Sequence, residues 1–124
     1  MSESFDERGL PPHQAINQTW EVTPAEVREA RDDPDTVLID CRTPEEHEFC
    51  RIQGAQLVPL QELAQRLDEF EDHADKRIIV YCHHGRRSLQ AAAMIRATGF
   101  ENTWSMAGGI DQWSLAIDSA VPRY

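Results

Sequence analysis

At 124 residues and 14.2 kDa the chain predicts one domain, with too little length for a second. Its 40% hydrophobic and 27% charged residues fit a globular chain, and no apolar run exceeds five residues, where a spanning helix needs roughly 20. With 12 Lys and Arg against 22 Asp and Glu, the net charge of −10 argues against nucleic acid and anionic membranes as partners, because phosphate affinity rests on Lys and Arg.

In chain order, residues 1–18 read as a flexible tail. They show no hydrophobic period, and Pro11-Pro12 cannot sit inside a helix. The acidic start, Met1 to Pro12, lacks the basic-then-apolar pattern of a secretion signal, so a soluble, cytoplasmic domain over residues 19–124 is expected. Trp20-Glu21-Val22 predicts a short edge strand. Thr23-Pro24-Ala25-Glu26 then supplies an N-cap, a first-turn proline and a capping box for a helix running to about Arg31. Thr36 to Asp40 and Ile78 to Cys82 are short β-branched runs, apolar on both faces. Leu60, Leu63, Ala64, Leu67 and Phe70 recur at helical spacing between them. Ser88 to Thr98 predicts an Ala-rich helix stopped by Gly99. Phe100 to Ser105 predicts a strand, and Gly108-Gly109 turns into a last helix from Ile110 to about Ile117. Strands alternating with amphipathic helices predict a three-layer α/β/α domain around a mostly parallel sheet.

Cys82-His83-His84-Gly85-Arg86-Arg87-Ser88 carries the chemistry. It lies between the carboxyl end of a strand and the start of a helix, the edge where open parallel sheets bind ligands. A helix N-terminus at Ser88 turns free N–H groups toward the loop and favours a thiolate over a thiol, and the two arginines act in the same sense. Gly85 can take positive φ, letting successive N–H groups converge on one anion. Cys82 is therefore the candidate nucleophile. Cys41 and Cys50 lack this setting and read as small buried hydrophobes. No CxxC pair suggests zinc or a dithiol.

Four segments then resemble the rhodanese-like sulfurtransferases. The loop resembles C-x-x-G-x-R-S. Leu38-Ile39-Asp40-Cys41-Arg42-Thr43-Pro44-Glu45-Glu46 resembles L-I-D-V-R-x-x-E-E. Ile52-Gln53-Gly54-Ala55 with Pro59-Leu60 resembles h-I-P-G-A-x-x-x-P-L, and Ala107 to Trp113 resembles the G-G-x-x-x-W closing motif. The tail Val121-Pro122-Arg123-Tyr124 is also similar to the family's. Cys50-Arg51 stands where the family usually shows Gly-His, Gln53 where it shows Pro, and Cys41 where Val is common; these departures bear on substrate preference more than on reaction type. The resemblance implies that Cys82 takes sulfane sulfur from a donor such as thiosulfate as a persulfide and passes it to cyanide, a thiol or a protein acceptor. His83, His84, Gly85, Arg86, Arg87 and Ser88 would form the anion-binding loop, with Arg86 and Arg87 steering anionic donors and Arg87 in the family's loop-arginine position.

Asp40 and Arg42 read as a structural ion pair supporting the loop. Cys82-His83-His84 offers thiolate and imidazole ligands, but adjacent residues rarely aim three side chains at one ion, so neither metal nor cofactor is expected. His47 and His73 sit in polar, exposed contexts, and Trp20, Trp104 and Trp113 read as packing residues. Two other functions compete: a phosphatase or arsenate reductase on the same fold, and a non-catalytic binding module. Phosphatase loops of this kind hold five residues between Cys and Arg, whereas Cys82 and Arg87 enclose four, a ring suited to one sulfur atom. The presence of Cys82 removes the main support for a binding module.

Overall fold

The computed structural model describes residues 5–124. Five strands form one sheet: β1 (Glu21–Val22), β2 (Thr36–Asp40), β3 (Gln56–Leu57), β4 (Arg77–Tyr81) and β5 (Thr103–Met106). Their order is β1-β5-β4-β2-β3, and every pairing is parallel. The helices are α1 (Pro24–Ala30), α2 (Pro44–Phe49), α3 (Leu60–Leu63), α4 (Arg86–Ala97) and α5 (Gly109–Ala116), with a 3₁₀ helix at Leu67–His73.

Strand alternation divides the core in two. Leu38, Ile79, Tyr81 and Met106 face α1 and α5, packing with Val27, Ile110 and Trp113. Ile39, Ile78 and Val80 face the opposite way, against Leu63, Phe70, Ala91 and Ile95 from α3, the 3₁₀ helix and α4. Because both faces of β4 are covered, its residues Ile78–Tyr81 are all buried, which is why they read as a continuous apolar run. Each such side chain contributes about 1.5–3 kcal/mol by leaving water.

Several predicted boundaries move. The helix predicted from Leu60 to Phe70 breaks into α3 and the 3₁₀ turn, because Arg66 leaves the helical region at φ −117°, ψ 11° and its guanidinium holds Glu62 and Glu69 on either side. The helix predicted to begin at Ser88 begins at Arg86, because Gly85, in the left-handed region at φ 103°, turns the chain directly into it. Two elements were not predicted at all, β3 and α2. The latter is opened by Thr43 and Glu46 in a second capping box, a repeat of the Thr-Pro-x-Glu pattern that opens α1.

The predicted tail is also corrected. Residues 1–4 lie outside the described residues, but the segment after them is docked on the domain. Leu10 is fully buried, the Arg8 carbonyl accepts from the Ala25 N–H at 2.9 Å, and Gln112 donates to the Gly9 carbonyl at 2.9 Å. At the sheet edge, the Arg96 guanidinium lies 4.0 Å from the Trp20 ring centroid and 4.8 Å from that of Trp104, so these tryptophans pack around a cation. No helix among the described residues is long and apolar enough to cross a membrane.

Candidate active site

Cys82 immediately follows central strand β4, and its sulfur is the focus of the loop. The Gly85 N–H lies 3.0 Å from Sγ, the Ser88 N–H 3.3 Å and the Ser88 hydroxyl 3.4 Å. Ser105 on β5 sits 2.7 Å from the Ser88 hydroxyl and orients it. The neighbouring Cys41 thiol is the strongest influence holding the Cys82 thiol down to about 5, against the upward push of burial. The Ser88 hydroxyl and the Ser88 and Gly85 N–H groups act in the same direction. Cys41 is correspondingly pushed far up, by the neighbouring Cys82 first and then by burial. The two shifts together favour a thiolate on Cys82 over one on Cys41. A cavity of about 330 Å³ over this sulfur is lined by Cys82, His83, His84, Arg86 and Arg87.

The loop is held from behind by α5. The Ile110 N–H donates to the Cys82 carbonyl at 2.8 Å and the Asp111 N–H to the His83 carbonyl at 3.1 Å. Two acceptors are thereby occupied by a neighbouring helix N-terminus. The close approach requires Gly109, where a Cβ would lie 2.3 Å from the His83 carbonyl oxygen.

The arginines do not divide as expected. Arg87 is engaged by Glu46 at 2.7 and 3.0 Å, a two-pronged ion pair that clamps α4 to α2 and removes it from the role of a free steering charge. Glu46 also accepts from Tyr124 at 2.6 Å, and Arg87 first, then Tyr124, helps hold its carboxyl well below the ordinary range. Arg86 is the exposed arginine on the cavity. His83 is stacked between His84 and Tyr124, with both ring centroids at 3.9 Å, and burial pushes its imidazole below the usual value. His84 is exposed.

Asp40 and Arg42 form the structural pair that the sequence suggested, both side chains fully buried, at 2.7 Å. Arg42 further donates to the Cys50 carbonyl and, at 2.9 Å, to the Tyr124 hydroxyl. His47, predicted to carry no signal, instead places Nδ1 2.8 Å from an Asp40 carboxylate oxygen, because α2 turns it inward. His73 is half-buried against Phe70, its ring centroid 6.1 Å away. Cys50 lies on the α1–α5 side of the sheet, away from Cys82.

Sequence reasoning thus missed Cys41, Glu46, Ser105 and Tyr124 as parts of the site. Cys41 had a usable signal: it follows β2 directly, as Cys82 follows β4.

The family model for the rhodanese-like domain matches residues 23–116. The tRNA uridine(34) hydroxylase of Salmonella newport is 35% identical over 94 residues, which are 73% of this chain and 27% of that protein. The chain thus spans about a quarter of the length of the curated relatives it matches. Among solved structures, a rhodanese-related protein from Thermoplasma volcanium superposes with TM-score 0.70 at 28% identity, covering 83% of this chain and 95% of that one. A NAD-dependent persulfide reductase from A. fulgidus is 32% identical with TM-score 0.55, over 72% of this chain and 18% of that one. With a parallel α/β sheet, a cysteine at the end of its central strand and this match over most of its length, the chain belongs to the rhodanese-like domain family.

Proposed function

We propose that this domain is a sulfurtransferase that carries sulfane sulfur on Cys82. The Cys82 thiolate attacks the outer sulfur of a small anionic donor such as thiosulfate. The sulfur–sulfur bond of the donor breaks, sulfite leaves with the electron pair, and Cys82 keeps the outer sulfur as a persulfide anion. A cyanide ion or thiolate then attacks that outer sulfur and regenerates the Cys82 thiolate. The observation that carries this reading is the convergence of the Gly85 N–H, the Ser88 N–H and the Ser88 hydroxyl on one sulfur atom. Exposed Arg86 supplies the positive charge for the donor at the cavity, in a chain whose net charge is −10.

The likeness to a protein named as a persulfide reductase supports persulfide chemistry. A tRNA-directed role, suggested by the names of the longer relatives, is disfavoured for this chain by its acidity and by the pairing of Arg87 with Glu46. Phosphate-ester hydrolysis is disfavoured because the ring closes on the sulfur itself. Three free cysteines, two of them register neighbours on adjacent strands, fit a reducing compartment such as the cytoplasm.

Thiocyanate formation from thiosulfate and cyanide tests the reading. Wild type should turn over, and Cys82→Ser should fall to background with an unchanged circular-dichroism spectrum, because a hydroxyl stays protonated near neutral pH. Activity retained in Cys82→Ser, or wild type hydrolysing an aryl phosphate faster than it forms thiocyanate, would overturn it.

A further inference from the structure

Cys41 stands beside Cys82 as a consequence of strand register. Strands β2 and β4 are hydrogen-bonded neighbours in parallel, and Asp40 pairs with Tyr81 as their last register partners. The Cys41 N–H continues that ladder by donating to the Tyr81 carbonyl at 3.1 Å, so Cys41 and Cys82 are the next pair. Neighbouring strands run about 4.8 Å apart, inside the span of roughly 4.4–6.8 Å between α-carbons that a disulfide bridges. Alternation puts both side chains on the same face of the sheet. Both belong to the same apolar cluster, with Ile39, Val58 and Val80, while Cys50 lies on the opposite side. Cys41 is 2% exposed and does not line the cavity, whereas Cys82 does.

This arrangement matters once Cys82 carries an outer sulfur. The negative charge then sits on that outer atom, on the cavity side, and the inner sulfur becomes electrophilic. On the side away from the cavity, the Cys41 thiol is placed beside the inner sulfur by strand register and by their shared apolar cluster. Thiol–disulfide exchange proceeds by attack in line with the leaving sulfur, and here the attacking and leaving atoms lie on the buried and open sides.

We propose that Cys41 is a resolving thiol that attacks the inner sulfur of the Cys82 persulfide, expels the outer sulfur as hydrosulfide and leaves a Cys41–Cys82 disulfide. The bond between the two persulfide sulfurs breaks and the bond between Cys41 and Cys82 forms. The departing sulfur keeps the electron pair and takes the proton that Cys41 loses, leaving as HS⁻. The outer sulfane sulfur is reduced and the Cys41 thiol oxidised, so no outside oxidant is needed. A dithiol, small or protein-borne, returns the two cysteines to the reduced state. Used in sequence with loading, the step makes the domain a dithiol-dependent producer of hydrosulfide whenever a direct acceptor is absent. The inference rests on the sulfurtransferase reading for its first step.

The test loads wild type, Cys41→Ser and Cys41→Val with thiosulfate and removes the excess. Each protein is then followed without acceptor by intact mass, hydrosulfide release and peptide mapping. Serine keeps a hydrogen-bond donor beside Cys82 but cannot form the disulfide, and valine is the residue common at this position in the resembled family, so the two variants guard against a folding failure in either. Wild type should lose its added sulfur as about one hydrosulfide per chain, with Cys41 and Cys82 peptides linked and Cys50 still alkylable. Oriented neighbours react as if at effective molarities of roughly 10⁵ M and above, so this loss should slow at least about a hundredfold in both variants. Equal persistence of the added sulfur in wild type and Cys41→Ser, or sulfur loss that leaves Cys41 alkylable, would overturn the proposal alone. Failure of thiosulfate to add sulfur to any of the three would overturn the sulfurtransferase reading and this step with it.

Discussion

The chemistry of Cys82 is set by how few atoms it takes to stabilise a sulfur anion inside an apolar cluster. Burial alone raises a thiol, yet two backbone N–H groups, one hydroxyl and one neighbouring thiol reverse that effect. Alkylation of Cys82 by iodoacetamide should therefore rise through an inflection near 5 instead of near the ordinary 9.0, and level off above it. Replacing Cys41 by valine removes the largest of the four influences and should move the inflection upward. The sign for stability follows from the same shift: the folded-state value is depressed, so the thiolate favours the fold. That contribution is complete above about pH 9 and is lost as pH falls through about 5. An inflection near 9 in wild type would show that the ring does not hold an anion. At this scale the loop was legible in the sequence because its residues are consecutive. Cys41 carried only the signal of its place just after a strand; that it stands beside Cys82 follows from pairing between strands 41 positions apart in register, which the sequence does not display.

Among the elements, two helix N-termini act on one loop in different ways. α4 presents N–H groups to the sulfur, while α5 donates to the loop carbonyls from behind. Gly109 is where α5 comes closest, at φ +65° with no room for a Cβ. Gly109→Ala should displace the His83 carbonyl and disorder the ring. A left-handed non-glycine residue alone costs roughly 1–2 kcal/mol, and misplacing one preorganised donor lowers rates by about 10²–10³. Thiocyanate formation should fall by at least that factor, accompanied by a lower Tm; wild-type activity in this variant would show that the contact does not position the loop. The Gly-Gly motif could be read in the sequence, but the loop carbonyls it approaches could not, because they belong to a segment far away along the chain. By contrast α2 had a readable start in Thr43-Pro44-Glu45-Glu46, a repeat of the pattern at Thr23, and only its short length hid it.

In the whole molecule, the alternation of apolar runs and amphipathic helices was enough to reveal a parallel sheet covered on both faces, and the Asp40–Arg42 pair was legible from spacing alone. What hid was closure. The segment around Leu10 lacks a period because one buried leucine and a few backbone hydrogen bonds hold it, which no pattern of repeats records. At the other end, Tyr124 joins Arg42, Glu46 and His83, so the site is completed by a residue 42 positions beyond Cys82. Arg87 looked like a steering charge only because Glu46, its partner, comes from a different helix. All of this support converges on one sulfur atom, and the most direct test is to ask what that atom accepts. Brief exposure of the intact protein to thiosulfate, followed at once by mass spectrometry, should show a gain of one sulfur on the peptide containing Cys82, removed by cyanide and absent from Cys82→Ser. No gain in wild type, or a gain on the Cys41 or Cys50 peptide in place of the Cys82 peptide, would contradict the account.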